Sequence, residues 1–518
     1  MKLMMRIKYG ICFCAQIAIM SLLALASCQQ QDSPVHDGDI DYESLKENSV
    51  KEFLAFARNP RPSHSMEKPR EYLKAFAEEN GWSWHRDEYG SCWFDVPATE
   101  GYRNYPNVIL QGHMDMVCAS AEGETHDYLK EVGTPHREGD LIRGEHINLG
   151  VDDGIGVGMI LAIAKSDIGH GPLRCLFTAD EETGLFGAAN LSPSTINSDY
   201  LISLDAEMSA YVDISCAGSV TLHFEDDLEA AGQLPDKSRV TVEISGLRGG
   251  HSGIEINNHR LSAGVMIIDM LGRLIDSYEV NAVGIDAGTA NNAILTGAEL
   301  AVAVNPSDEE GVRALLLETI GDYAEEYPDE TIIYSISSSA IGSSDHPCSA
   351  RDTRRMHQLL SGLKYGPVEV RDGHVTKSSN ISPIILKDCR FSVNSLMRSD
   401  YNEWLDEQAR YYVPFAGSLG MAGSIFTQCP AWYCEHTYPM VSMLKGYYSA
   451  AIGGTVADYM SQAGLEPAYF SRIRPDLQIA CIGPQIDNAH TIVETLHIDT
   501  LVPVLKATVQ TIQHINEL

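Results

Sequence analysis

The chain predicts an α/β fold, a mostly parallel sheet interrupted by a large two-layer α/β insertion that would act as a lid. Three observations carry this reading. Four short apolar runs, at 108–111, 173–178, 200–204 and 477–482, read as buried strands. Helical patterns alternate with the first three, as a parallel sheet requires. From about 213 the style changes to alternating strands and long amphipathic helices, and the first style resumes after 430.

The elements follow in order. Residues 43–58 set Leu45, Val50, Phe53, Leu54 and Ala57 at helical spacing, and Asn59-Pro60-Arg61-Pro62 ends the run. A second helix over 67–80 is closed by Gly81. Strands are expected at 83–86, 92–96 and 108–111. The turn Asp152-Asp153-Gly154 opens a helix that runs to 166. A strand at 173–178, a short helical piece from 187 and a strand at 200–204 complete this part. In the insertion, 220–225 and 239–244 alternate like antiparallel strands. Residues 260–277 place Leu261, Val265, Ile268, Leu271 and Ile275 on one helix face. Strands near 293–304 and a helix at 309–327 follow, and the pattern recurs between 331 and 424, with a helix at 401–413. The closing part carries a helix at 440–453, a strand at 477–482 and a last helix after Asp499, with Pro503 in its first turn.

A chain of 518 residues exceeds one simple core, so at least two domains are expected. A net charge of −34 argues against a nucleic-acid partner, which needs a basic face. Lys2, Arg6 and Lys8 precede an apolar stretch at 11–26, and Leu25-Ala26-Ser27-Cys28 resembles a bacterial lipoprotein processing site. The expectation is an exported protein tied to a membrane by lipid on Cys28, at the periplasmic or outer-membrane face of a Gram-negative cell. The expected segments are a leader at 1–28, a polar tether at 29–41, a catalytic domain at 42–212 and 430–518, and the lid at 213–429. Nothing later is apolar enough to span a bilayer. Without Cys12, Cys14 and Cys28, nine of the 12 cysteines remain, an odd and scattered set unlike a disulfide framework, though Cys429 and Cys434 could pair.

The chemistry sits where apolar runs stop. Such runs end at His113-Met114-Asp115, Glu181-Glu182, Asp205 and His490, and Asp152-Asp153 opens the helix after the first strand. In open α/β sheets the crevice beyond the carboxyl ends of strands is the binding place. Imidazoles and carboxylates suit a divalent metal, and zinc accepts both. His113 and Asp115 are two apart, so Asp115 can orient a ligating imidazole. Asp152 can bridge two metals, while Asp153 suits the helix cap. Glu181 and Glu182 are neighbours that cannot face the same way, so one can bind metal and the other handle a proton. No Gly-x-Ser-x-Gly elbow occurs, which disfavours a serine hydrolase.

The order His-x-Asp, Asp-Asp-Gly, Glu-Glu, Asp, His resembles the co-catalytic di-zinc exopeptidases, which include aminoacylases, carnosinases and bacterial dipeptidases. The likeness is nearest to the aminoacyl-histidine dipeptidase branch. It rests on Arg61-Pro62-Ser63, Leu110 through Val117, Leu149 through Gly156, Cys216-Ala217-Gly218, Gly249-Gly250-His251-Ser252-Gly253 and Ile482-Gly483-Pro484. The resemblance implies metal-dependent cleavage of dipeptides or short peptides by two divalent ions, zinc by default, with manganese or cobalt as substitutes. It implies His113 and Asp205 on one metal, Glu182 and His490 on the other, and Asp152 between them. Glu181 becomes the general base, Asp115 the orienting acid, and the Asp152–Asp153 peptide cis. His251 would polarise the scissile carbonyl, and Asn292 and Arg398 would hold the substrate's carboxyl end. A homodimer through the lid is a further expectation. An amidohydrolase of N-acyl amino acids and a non-catalytic peptide-binding lipoprotein are the rival readings. The chain departs from the branch at Asn291, Leu295, Gln462, Pro467-Ala468 and Asn488-Ala489, while every expected metal ligand and the general base are present.

Overall fold

The computed structural model describes residues 40–371, 373–433 and 438–518. The leader, Cys28 and nearly all of the tether lie outside these residues, as does Cys434. Contacts divide the chain into Met1–Ser44 and Leu45–Leu518. Only 40–44 of the first unit are described, and all the sheets belong to the second.

The four buried runs form four adjacent parallel strands: Val108–His113 (β1), Leu173–Thr178 (β2), Tyr200–Ser203 (β3) and Gln478–Cys481 (β4). Their spatial order is β2-β1-β3-β4, with all three pairings parallel. Both faces of β1 and β2 are buried throughout, which is why they read as continuous apolar runs rather than alternating ones. The margins of this nine-stranded sheet are largely antiparallel. Ser83–Arg86 and Cys92–Val96 extend it beside β2, and Tyr211–Cys216 and Trp432–Tyr433 extend it beyond β4. The chain therefore leaves this sheet at Ala217, a few residues later than the 212/213 division expected. The short strand Tyr211–Cys216 is held on both sides, by Trp432–Tyr433 and by Ala457–Ser461.

The helix Val151–Lys165 starts slightly earlier than expected, because a hydrogen bond from Gly154 N–H to Gly150 O, at 3.2 Å, already encloses Val151. Asp152 and Asp153, inside that first turn, are not helical in φ and ψ. The helix is buried from Val151 to Ala164. A helix apolar all round belongs inside the protein.

The second sheet has nine strands between Gly218–Asp227 and Ala422–Cys429. All of its pairings are antiparallel. Helices Ala263–Ser277, Glu309–Glu326, Ala350–Gly362 and Asn402–Ser418 accompany it, giving the second layer. Phe224, Met266, Leu271, Leu300, Met356 and Phe391 belong to one buried core shared by strands and helices. Gly218–Asp227 and Ser238–Ser245, consecutive in sequence, are not neighbours in the sheet. A separate four-stranded sheet includes the hairpin Thr134–Glu138 and Leu141–Glu145, whose first strand is exposed throughout and which the sequence pattern did not signal.

Candidate active site and metal centre

His113 is the last residue of β1 and is 1 % exposed. Its Nε2 lies 3.1 Å from Asp152 Oδ1 and 3.4 Å from Asp205 Oδ1. His490, in the loop after β4, places Nε2 3.1 Å from Asp152 Oδ2 and 2.9 Å from Glu182 Oε2. The two oxygens of Asp152 thus face two different imidazoles. The donor atoms fall into three groups, each within 4.8 Å: His113 with Asp152 and Asp205, Asp152 with Glu182 and His490, and His113 with Glu181 and Glu182. The expected ligand positions and Glu181 are therefore brought together beyond the carboxyl ends of β1 to β4. The Asp152–Asp153 peptide is cis, as the resemblance implied.

The donor set fits divalent metal. Two nitrogens and several carboxylates converge, and such carboxylates repel one another unless cations intervene. Burial holds the Glu181 and Asp205 carboxyls well above the ordinary range, against the pull of His113. Burial acts on Asp152 too, but there the hydrogen bonds from His113 and His490 win and hold it low. Hydrogen bonds to Asp152 and Glu182 push the His490 imidazole up to about 11. The pocket thus favours positive charge between its oxygens.

Asp115 is fully buried and serves two loops. Its oxygens accept the backbone N–H of Glu181 at 2.9 Å, that of Glu182 at 3.2 Å and the Ser63 hydroxyl at 2.7 Å. Its Oδ1 is 3.6 Å from His113 Nδ1, longer than a hydrogen bond. So Asp115 anchors the Glu181–Glu182 turn more firmly than it grips the imidazole. Asp153 turns away from the donor cluster. One oxygen accepts the Gly156 N–H at 3.2 Å, capping the helix, and the other accepts the His113 N–H at 3.1 Å.

Sequence reasoning assigned Arg61 no role. Its guanidinium, 1 % exposed, donates to Met114 O and Asp115 O on one loop and to Leu149 O and Gly150 O on the other. It joins the His113 loop to the Asp152 loop. Gly150 has φ +63, and a Cβ there would meet Arg61 Nη2 and Met116, so the close approach requires glycine. Two buried carboxylates were also missed as supports. Glu494 accepts the Asp152 N–H at 3.3 Å. Glu466 accepts from Gln111 Nε2 and Thr178 Oγ1, each at 2.6 Å.

Arg398 lies in the second sheet, His251 in a separate two-strand ladder, and Asn292 in the turn next to that ladder. Among the described residues, no hydrogen bond or ion pair joins them to the acidic cluster. His251 pairs with Ala293 in a two-residue ladder. Its Nδ1 accepts the N–H groups of Gly253 and Ile254 at 3.2 and 3.3 Å, so the proton of the neutral ring sits on Nε2. Burial, then Arg398, lowers its pKa. Arg398 is 9 % exposed, its Nη1 donates to Gln462 O at 3.1 Å, and its Nε has no partner. Asn292 is exposed.

The family model for Peptidase family M20/M25/M40 matches residues 109–514. The cytosol non-specific dipeptidase of Escherichia coli is 28 % identical over 466 residues, covering 87 % of this chain and 93 % of that protein. Among solved structures, the aminoacylhistidine dipeptidase of Vibrio alginolyticus superposes with a TM-score of 0.82 at 25 % identity, covering 90 % of this chain and 96 % of the other. A tripeptidase from Staphylococcus aureus shares the fold, with a TM-score of 0.52, 13 % identity and coverage of 91 % and 99 %. These findings overturn one expectation, the exported, lipid-anchored location. The curated relative is described as cytosolic. The match spans both the strands that carry the donor cluster and the inserted second sheet, and this chain belongs to Peptidase family M20/M25/M40.

Proposed function

We propose that the chain hydrolyses the peptide bond of dipeptides and short peptides with two divalent metal ions, zinc by default and manganese or cobalt as substitutes. The observation that supports it most is Asp152 set between two imidazoles, each with its own carboxylate, in a chain that aligns nearly end to end with dipeptidases. In this reading His113 and Asp205 hold one ion, His490 and Glu182 the other, and Asp152 both. When bound, such ions would supply Lewis acidity toward a peptide carbonyl and a lowered pKa for water. Glu181, in the same donor group as His113 and Glu182, would take a proton from the water and return it to the leaving amine. Asp115 positions Glu181 through the backbone of its turn.

Substrate handling falls to residues of the inserted region. His251 Nε2–H suits donation to the oxygen of the tetrahedral intermediate. The buried guanidinium of Arg398 donates to a backbone carbonyl and forms no salt bridge with a described carboxylate, so it suits a substrate carboxylate, a task the reading shares with the exposed Asn292. Gln462, which departs from the branch pattern, touches this end: its carbonyl accepts from Arg398 and its amide donates to Val375 O at 3.2 Å. The proposal therefore carries no preference for C-terminal histidine.

The test is a panel of dipeptides, Xaa-His included, and N-acetyl amino acids, assayed with metal, with chelator and after metal is restored. Dipeptide cleavage that chelator abolishes and metal restores is expected. No cleavage of any dipeptide by the metal-restored protein would sink the proposal.

A further inference from the structure

Far from the acidic cluster, two buried cysteines meet. Cys348 is 0 % and Cys389 6 % exposed, and their sulfurs are 3.3 Å apart. Cys389 Sγ also approaches His346 O at 3.2 Å. The two come from segments 41 residues apart in sequence. Cys348 is fixed by its backbone: its N–H donates to Ala282 O and its carbonyl accepts from Asn281 Nδ2, both at 2.8 Å. Cys389 sits in the two-residue turn between His374–Lys387 and Arg390–Ser399, where Asp388 and Cys389 have φ of +52 and +60. Turns with two positive φ values strongly favour Asn, Asp or Gly. Cysteine is a poor choice for that turn alone, so another role must hold it there.

We infer that Cys348 and Cys389 form a disulfide that ties the hairpin tip of the second sheet to the segment entering helix Ala350–Gly362. A metal site is not the better reading, because among the described residues the only groups of three converging donors lie in the cleft described above. The sulfurs need to close from 3.3 Å to about 2.05 Å. The oxidant is a disulfide of a small thiol such as oxidised glutathione. The Cys389 thiolate attacks it, releasing one thiol and leaving a mixed disulfide. The Cys348 thiolate then attacks Cys389 Sγ and releases the second thiol. The two protons lost by the cysteines end on the two released thiols, and the two electrons on their sulfurs.

The full chain is incubated with oxidised glutathione, alkylated and digested with trypsin without reduction. The expected product links the tripeptide Asp388-Cys389-Arg390 to the peptide 314–351 and disappears on reduction. Oxidation should raise the melting temperature by about 2–4 °C, and this rise should vanish in C348S and in C389N, the latter well suited to the turn. Dipeptidase activity should be the same in both redox states. The inference is overturned if both cysteines are alkylated after oxidation, or if each is found linked to a different cysteine.

Discussion

Arg61→Met tests whether one buried guanidinium sets the distance between the two loops that carry the donors. The substitution keeps an apolar stem and removes all donors. In the structure, Nη1 reaches Met114 O at 3.2 Å and Asp115 O at 2.7 Å, and Nη2 reaches Leu149 O at 3.2 Å and Gly150 O. A hydrogen bond from a charged donor is worth about 1.5–3 kcal/mol net. Four would overshoot if added, because burial itself penalises the guanidinium and pulls its pKa down. Glu494, Asp115 and Asp153 act against that penalty. A loss of about 3–5 kcal/mol is the expected scale for breaking such a buried charged network. The more informative effect is local. Freed carbonyls let the His113 and Asp152 loops separate, and loss of an outer support of a metal site costs about 10–100-fold in affinity. The assay is competition with a metal chelator, followed by thermal melting of the metal-free and metal-loaded protein. Arg61→Lys should rescue little, since an ammonium cannot span four carbonyls. Metal affinity within about twofold of the parent, for a variant with lowered melting temperature, would refute the clamp and leave Arg61 a purely structural residue.

Three further outcomes are expected. Glu181→Gln should lower kcat by about 10²–10⁴-fold while metal stoichiometry by elemental analysis is unchanged; full turnover would remove Glu181 as base. Arg398→Met should raise KM for dipeptides by about 10–100-fold and leave amidated dipeptides nearly unaffected; equal losses on both would show that Arg398 does not read a carboxylate. Asp213, in strand Tyr211–Cys216, is pushed up to about 7 by burial, eased by the Cys481 side chain. Its folded pKa lies above the unfolded value of about 3.9, so the native state holds the extra proton between them. That contribution is complete below about pH 4 and is lost as pH rises to about 7, by up to about 4 kcal/mol. Asp213→Asn should therefore melt progressively above the parent as pH rises from 4 to 8; a difference that stays flat with pH would refute the assignment.

What the sequence disclosed depends on how each feature is encoded. β1 to β4 were legible because strands buried on both faces must be apolar without interruption. The donor residues were legible because most lie within two or three residues of such a run's end, or at the helix it leads into. The hairpin Thr134–Glu138 and Leu141–Glu145 was invisible because Thr134–Glu138 is exposed at every position and carries no apolar alternation. Strand order in the second sheet was out of reach, since Gly218–Asp227 pairs with Arg390–Ser399, far along the chain, rather than with its sequence neighbour. Arg61 was hidden for a related reason: its acceptors are backbone carbonyls 53 to 89 residues away, and carbonyls carry no sequence signature.

The same distinction separates reaction from substrate. The proposed reaction depends on side chains at the ends of four parallel strands, whose positions are over-determined by Arg61, Asp115, Asp153 and Glu494 from below. In the proposal, substrate recognition falls to His251 and Asn292, at the separate two-strand ladder, and to Arg398 in the second sheet, whose Nη1 donates to the Gln462 carbonyl. A change at Gln462 leaves every donor distance in the cluster untouched, because its hydrogen bonds go to Val375, His374 and Arg398. A chain built this way can keep its hydrolytic chemistry while its substrate end drifts: Gln462 departs from the family pattern beside Arg398, whereas the departure at Asn488-Ala489 adjoins His490 and leaves the imidazole itself in place.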